Sequence, residues 1–299
     1  MVSNDERIVA SSADSAITVP PGEAGFWISS QNRERLSRIA SMSERGEWVN
    51  ALIRGPKGCG KTTLAREFAH LFQRPYHEVH CGAFIDAEQW FGKDRLSNGE
   101  TWYRKARFVH AIETPCSVTL LDEINRAHPE VLNAILGLLD WRRSMWSDDL
   151  GYKIMVARGV IFFATINEGD DYYGTSPLDS ALRDRFTRTI RLSYPPRREE
   201  TEILQKHGLS KEMANKLTLF ANTLRKATSP VPVSTRQLLV AAEELKDDAS
   251  LRDAVETAII NGVEDTSMEK MSLEALQWLE ANPYVEDGQE IIPVEESNG

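Results

Sequence analysis

The sequence predicts an α/β domain built on a five-stranded parallel sheet, followed by a small all-helical domain. Three observations predict it. Between Trp48 and Leu192 short apolar runs alternate with segments of helical periodicity, the pattern of a parallel sheet with crossover helices. The first run ends in a glycine-rich loop, 55-GPKGCGKTT-63, that opens a helix. After Pro195-Pro196 the strand signals stop and helical spacing alone continues.

In chain order, the candidate strands are 50-NALIR-54, 76-YHEVH-80, 116-CSVTLL-121, 159-GVIFFAT-165 and 187-TRTIRL-192. Helices are expected near residues 31–44, 61–73, 102–113, 128–142 and 177–185. Two inserts interrupt this alternation: 92-GKDRLSNGETW-102, with an Asn98-Gly99 hairpin turn, and 142-RRSMWSDDLGYK-153. Beyond Pro196 helices are expected over 197–206, 211–227, 235–247 and 251–262. The domains read as a flexible arm over 1–22, the α/β domain over 23–194, the helical domain over 195–281 and an acidic tail over 282–299.

The bulk numbers narrow the function classes. The chain has 299 residues, enough for a sizeable core, and no apolar run approaches a membrane span. Net charge is -10, but the segment from Glu264 onward holds ten acids and one base, so the preceding residues are close to neutral. No whole-domain basic field is present to attract nucleic acid. The three cysteines, Cys59, Cys81 and Cys116, form no CxxC pair, which argues for a reducing, cytoplasmic setting. The N-terminal stretch has no basic region followed by an apolar one and does not read as a secretory signal.

The glycine-rich loop matches GxxxxGKT. Glycines let successive backbone N–H groups turn inward around phosphate oxygens, and the following helix adds its positive end. Gly55, Pro56, Lys57, Gly58, Cys59, Gly60, Lys61, Thr62 and Thr63 are the candidate phosphate contacts, with Lys61 directed at the β and γ phosphates and the Thr62 hydroxyl at Mg²⁺.

A second signal is 117-SVTLLDEINRA-127, where a strand ends in two adjacent acids. Paired carboxylates resist dehydration, so folding alone gives no reason for them. Ligands of an open α/β sheet sit beyond the carboxyl ends of its strands, which brings these acids to the edge that carries the loop. There Asp122 can hold Mg²⁺ and Glu123 can orient the attacking water. The strand 159–165 delivers Asn167 to the same edge. In 177-PLDSALRDRF-186, Leu178, Leu182 and Phe186 share one helical face, and Arg183 and Arg185 lie about 200° apart around the axis. Ser234 and Gln237 have capping-box spacing, and Arg236 then falls in the first turn of a helix, where its charge is disfavoured unless an anion is near. His77, His80 and Cys81 do not read as a zinc site, because strand alternation puts His80 on the face opposite the other two.

Together these residues resemble the AAA+ ATPases over roughly residues 23–280. The run DEINRA (Asp122 to Ala127) and 164-ATINEGDDYYGTSPLDSALRDRF-186 are similar to the branch that holds MoxR, the CbbQ/NorQ/GvpN chaperones and the dynein/midasin-type modules. The resemblance implies a three-layer P-loop fold with sheet order 5-1-4-3-2, a helical lid and a homo-oligomeric ring, usually hexameric. It assigns Lys61 and Thr62 to Walker A, Asp122 and Glu123 to Walker B, Asn167 to sensor 1, Arg236 to sensor 2 and the arginine finger to Arg185 in preference to Arg183. The inserts over 92–102 and 142–153 are expected at the central pore. Many relatives have a longer first insert and a Pro where Lys57 stands.

The implied cofactors are ATP and Mg²⁺. The implied function is ATP hydrolysis at subunit interfaces to remodel a protein client, with a von Willebrand factor A domain protein as a candidate adaptor. Two other classes are weighed. A DNA-directed motor or loader draws on 102-WYRKARF-108, where aromatic and basic residues interleave. A nucleotide-gated scaffold with little turnover is disfavoured by the intact Glu123, Asn167 and Arg185.

Overall fold

The computed structural model describes residues 17–23, 25–97, 100–148, 150–167, 178–227 and 229–282. The chain divides into two units. Of the described residues, the first takes 17–23 with those of 28–55 and 60–192, and the second takes 25–27, 56–59 and those of 193–282.

The first unit runs α1 (Ser30–Glu44), β1 (Val49–Gly55), α2 (Lys61–Leu71), β2 (Tyr76–His80), β3 (Gly92–Ser97), β4 (Glu100–Lys105), α3 (Arg107–Glu113), β5 (Val118–Asp122), α4 (Pro129–Asn133), α5 (Leu136–Leu139), β6 (Ser144–Ser147), β7 (Tyr152–Met155), β8 (Ile161–Asn167), α6 (Ser180–Arg185) and β9 (Arg188–Arg191). Five strands form one parallel sheet in the order β2-β5-β8-β1-β9. Read from the other edge, this is the expected 5-1-4-3-2. Val118, Leu120 and Leu121 of β5 and Ile161 to Ala164 of β8 are wholly buried, as continuous apolar runs covered on both faces must be. Phe68 of α2 meets Phe163 edge-on at 5.1 Å, and Trp90 packs between Phe84 and Phe108.

Polar side chains inside the sheet tie its borders to the helices. Asn50 is fully buried on β1 and donates from Nδ2 to the carbonyls of Leu139 (2.6 Å) and Arg185 (2.9 Å), fixing the ends of α5 and α6. Arg74, also buried, donates to Ser43 Oγ and Gly159 O, both at 3.0 Å, and burial lowers its pKa. Within the stretch read as an arm, Tyr76 N donates to Thr18 O at 2.9 Å, and His70 Nδ1 bonds Pro20 O at 3.1 Å.

The structure corrects three sequence expectations in this unit. The helix expected over 102–113 begins only at Arg107, because the hairpin pairs from Gly92↔Lys105 to Ser97↔Glu100 and claims residues 100–105 as β4. β-Branched and aromatic residues there, Thr101 to Tyr103, favour the strand. Gly92 is required at its base, since a Cβ would lie 2.3 Å from Arg104 O. The Asn98-Gly99 turn itself lies outside the described residues. The helix expected over 128–142 is split into α4 and α5, and Asp140 ends it in extended backbone. The second insert forms its hairpin over 144–155, two residues later than the expected 142–153, with pairs from Ser144↔Met155 to Ser147↔Tyr152.

The second unit holds α7 (Arg197–Lys206), α8 (Lys211–Lys226), α9 (Thr235–Lys246), α10 (Leu251–Ala258) and α11 (Thr266–Ala281) around a core that includes Leu217, Phe220, Leu224, Leu238, Val255 and Leu276. α11 has no counterpart among the helices read from the sequence. Its acidic residues mask an apolar stripe in which Ser272, Ala275, Leu276 and Leu279 are buried, and Asp265 caps it by accepting from Ser267 N and Met268 N, both at 2.9 Å. Part of the acidic stretch is therefore a core helix. Leu276→Ala is expected to destabilise this unit by about 2–5 kcal/mol, the cost of a buried Leu truncation. Denaturant unfolding followed by hydrogen exchange of α8 and α11 amides checks it, and a loss near zero would contradict the packing.

Candidate nucleotide-binding site

β1 runs into the glycine-rich loop, and the loop runs into α2. Gly58 (φ 69°) and Gly60 (φ 89°) adopt left-handed backbone that other residues take only with strain. Gly60 is the N-cap of α2 and supplies no side-chain cap, so the first-turn N–H groups are donors of the kind that a phosphate satisfies. Lys61 is buried to 7% exposure and its Nζ donates to Gly55 O at 2.9 Å, which folds the side chain back along the loop. Cys59 is buried within the same turn.

Asp122 is the centre of the site. It ends β5 with 9% of its surface exposed. Its Oδ1 accepts from Thr62 Oγ1 at 3.0 Å and from Thr165 Oγ1 at 2.6 Å. Its Oδ2 lies 3.6 Å from His80 Nδ1, the residue opposite it in the β2–β5 register. Thr62 from the loop and Asp122 from the acidic pair, inferred separately from sequence, are thus in direct contact. A hydroxyl and a carboxylate on adjacent supports form the hard-oxygen donor set that suits Mg²⁺.

Glu123 follows in left-handed backbone (φ 50°, ψ 48°), a conformation rare for a residue with a Cβ. Its N–H donates to Thr165 Oγ1 at 2.8 Å, so one threonine hydroxyl donates to Asp122 and accepts from Glu123. Glu123 Oε2 pairs with Arg126 Nε at 3.0 Å, giving a structural place to one of the residues in DEINRA. Asn125 Oδ1 is buried without a hydrogen-bond partner among the described residues.

Sequence reasoning does not single out Thr165, and it considers His80 only to reject it as a zinc ligand. Thr165 sits inside an apolar run, where it reads as a strand former, and its role is set by the β5–β8 pairing. His80 was weighed with His77 and Cys81, but its partners are carboxylates. Its Nε2 is 3.4 Å from Glu78 Oε1, and the ligand atoms of Glu78, His80 and Asp122 all lie within 4.8 Å of one another. His77 is shielded, and burial with the nearby Arg107 charge lowers its pKa to about 4. Burial pushes the Cys81 thiol well up.

Asn167 ends β8 in register with Gly55 of β1, which brings its backbone level with the start of the loop. Asp179 caps α6, and Leu178, Leu182 and Phe186 are buried as the helical spacing requires. Arg183 is exposed and donates to Leu178 O at 3.2 Å. Arg185 is folded onto its own chain: Nε donates to Leu136 O at 3.2 Å, Nη1 to Ala181 O at 2.5 Å, and Nη2 lies 3.8 Å from Asp140 Oδ2. Burial opposes ionisation of Asp140, but Arg142 hydrogen bonds and the Arg142 and Arg185 charges outweigh it and hold the carboxyl below its usual range. In the second unit, Ser234 and Gln237 form the expected capping box, and Arg236 is exposed in the first turn of α9.

With this geometry in place, fold and site define an AAA+ protein. The family "AAA domain (dynein-related subfamily)" matches residues 50–186, and "CbbQ/NirQ/NorQ C-terminal" matches residues 200–278. The chain is 39% identical over 249 residues to "Putative chaperone BssE" of Thauera aromatica, covering 82% of this chain and 85% of that one. An uncharacterized protein of Staphylococcus saprophyticus is 29% identical over 238 residues, covering 76% and 89% respectively. Among solved structures, the RuvB Holliday junction branch migration motor of Thermotoga maritima aligns with a TM-score of 0.52 at 18% identity, over 89% of this chain and 74% of that one, a likeness of fold. The chain belongs to the MoxR-like AAA+ ATPases, with the C-terminal domain of the CbbQ/NirQ/NorQ proteins. Among the described residues, no helix is long and apolar enough to cross a membrane.

Thr165→Val keeps the shape of β8 but removes the hydroxyl that both Asp122 and Glu123 use. On the Mg²⁺-holding role expected of Asp122, ATP turnover should fall by about 10- to 100-fold, the usual effect of losing a hydrogen-bond partner of a metal ligand. Steady-state phosphate release checks this, and turnover within about twofold of wild type would contradict the shared role.

Proposed function

We propose that this chain hydrolyses ATP with Mg²⁺ at the interfaces of a homo-oligomeric ring, of six subunits by family pattern, and uses the cycle to remodel or activate a protein partner. The observation that carries the reading is the Thr62–Asp122–Thr165 cluster, which puts the loop, the acidic pair and the neighbouring strand in hydrogen-bond contact. Residues Gly55 to Thr63 cradle the phosphates, the backbone N–H groups from Lys57 onward donating to them, and Lys61 neutralises the β and γ oxygens. Thr62 and Asp122 would hold Mg²⁺, which supplies positive charge against the phosphates. Glu123 orients a water for attack on the γ phosphorus and takes its proton. The bond to the β–γ bridging oxygen breaks, leaving ADP and phosphate. Asn167 positions that water from the end of β8, and Arg236 is assigned to sense the nucleotide from α9.

Arg185 is proposed as the finger for the neighbouring subunit's site. To serve there it must leave the Leu136 and Ala181 carbonyls and Asp140, so assembly and activation are coupled in this reading. A finger contributes about 10³- to 10⁵-fold in rate. Isolated subunits then bind ATP and turn it over slowly. The ring follows from a head-to-tail interface that closes on itself.

A protein client is supported by the kinship with BssE and by the surface of the β6–β7 hairpin. Trp146 and Met155 lie on one face of it, 59% and 61% exposed, and Trp141 just before it is 76% exposed. Exposed apolar groups of this size mark interaction surfaces. The adaptor class remains a von Willebrand factor A domain protein, and the setting is cytoplasmic, in keeping with three free cysteines. The DNA-directed alternative has weaker support. Phe108 of the interleaved stretch is core, and Lys105 is paired with Glu113 at 2.8 Å.

Mixing Arg185→Ala with Glu123→Gln subunits tests the interface mechanism. Each variant alone is expected to lose about 10³-fold or more of turnover. Mixed rings regain activity where an intact finger faces an intact Glu123. Absence of rescue at every ratio would contradict catalysis in trans, and rescue by Arg183→Ala in place of Arg185→Ala, with Arg185→Ala active alone, would move the finger to Arg183.

A further inference from the structure

The second unit contains a circuit of polar contacts, built around the buried Glu200, that starts and ends on one peptide unit of the phosphate loop. Tyr194 Oη donates to Lys57 O at 2.9 Å. The Arg225 guanidinium sits 4.1 Å from the centroid of the Tyr194 ring. Arg225 grips Glu200 with two bonds, Nη1 to Oε2 at 2.8 Å and Nη2 to Oε1 at 3.0 Å, and its Nε donates to Val233 O at 2.6 Å. Thr235 Oγ1 donates to Glu200 Oε1 at 2.6 Å. Thr235 is the first residue of α9, and the preceding Ser234 abuts Gly58 so closely that a Cβ there would lie 2.4 Å from Ser234 Cβ. Lys57 and Gly58, the two ends of the circuit, share a single peptide bond.

Packing alone does not account for these residues. Glu200 has no exposed surface, and removing a carboxylate and a guanidinium from water costs more than an apolar pair of equal volume. The network does satisfy every oxygen of Glu200, and it fixes where the Tyr194 phenol and the N-terminus of α9 must be. A trans peptide unit is planar, so a bond that fixes the Lys57 carbonyl also fixes the direction of the Gly58 N–H on its opposite side. That N–H is one of the donors the loop offers to phosphate.

We propose that Tyr194, Arg225, Glu200 and Thr235 are positioning residues for nucleotide: together they hold the Lys57–Gly58 peptide so that the Gly58 N–H faces the phosphates, and they tie that orientation to the helix that bears Arg236. This inference rests on the nucleotide-binding reading above. Its effect falls on nucleotide affinity and not on the chemistry of Glu123.

Tyr194→Phe in the full chain removes one hydroxyl and keeps the ring under Arg225. Titration with a fluorescent ADP analogue is expected to show binding weakened about five- to tenfold, the effect of one lost hydrogen bond. KM for ATP should rise to match while kcat stays within about twofold, a split that general destabilisation does not produce. Thr235→Val cuts the circuit on its other side and should weaken binding in the same direction, and the double variant should lose less than the product of the two. Wild-type affinity in Tyr194→Phe, or fully multiplicative losses in the double variant, would overturn the brace alone. Failure of the wild type to bind nucleotide would overturn the nucleotide reading and the brace with it. If Tyr194→Phe does not fold, Thr235→Val decides: unchanged affinity there overturns the proposal.

Discussion

The structure turns on a single carboxylate. Asp122 is nearly buried, and a buried carboxylate is tolerated only when its oxygens are satisfied. Thr62, Thr165 and His80 each approach it from a different element: the start of α2, the middle of β8 and the end of β2. The parallel sheet is what makes this possible, because it brings β1, β2, β5 and β8 to the same edge in register. Satisfying Asp122 therefore fixes the loop, and the threonine that bonds it also holds Glu123 in its left-handed turn. Asp122 and Glu123, proposed as the Mg²⁺-directed and water-directed carboxylates, are adjacent in sequence yet take different side-chain partners, Thr62 and Thr165 for the first and Arg126 for the second.

Much of this site was legible in sequence because its parts are local. A glycine-rich loop between strand and helix, and two acids at the end of an apolar run, each carry their chemistry within a few residues. The five strands and their order followed from the alternation of apolar runs and from the resemblance. Contributions set by pairing between distant strands were not legible. Thr165 reads as an ordinary strand residue until β8 lies beside β5, and His80 acquires carboxylate partners only through the β2–β5 register. Asn50 is a polar residue inside a strand whose purpose, holding the carbonyls of Leu139 and Arg185, depends on two helices that come much later in the chain. The misread elements share a cause as well. Residues 100–105 and α11 carry charge that obscures their periodicity, and hairpin pairing in the first and packing on the helical core in the second reveal the element.

Polar groups are placed differently in the two units. In the first they converge on the sheet edge, where a ligand is expected to complete them. In the second, Glu200 and Arg225 complete one another and leave the Tyr194 hydroxyl to bond the loop. A lid core held by a buried ion pair is a costly design compared with an apolar one, and it gains direction: the pair constrains both the phenol and the first turn of α9. The neighbouring capping box at Ser234 serves the same end by locking the backbone that packs on Gly58.

The most direct measurement of the central claim is calorimetric titration of a non-hydrolysable ATP analogue with and without Mg²⁺, in wild type and in Asp122→Asn. The account predicts that Mg²⁺ raises wild-type affinity by about tenfold or more, as a metal shared by protein and phosphate does, and that Asp122→Asn keeps the metal-free affinity while losing that gain. An undiminished Mg²⁺ effect in Asp122→Asn would contradict the role assigned to this carboxylate.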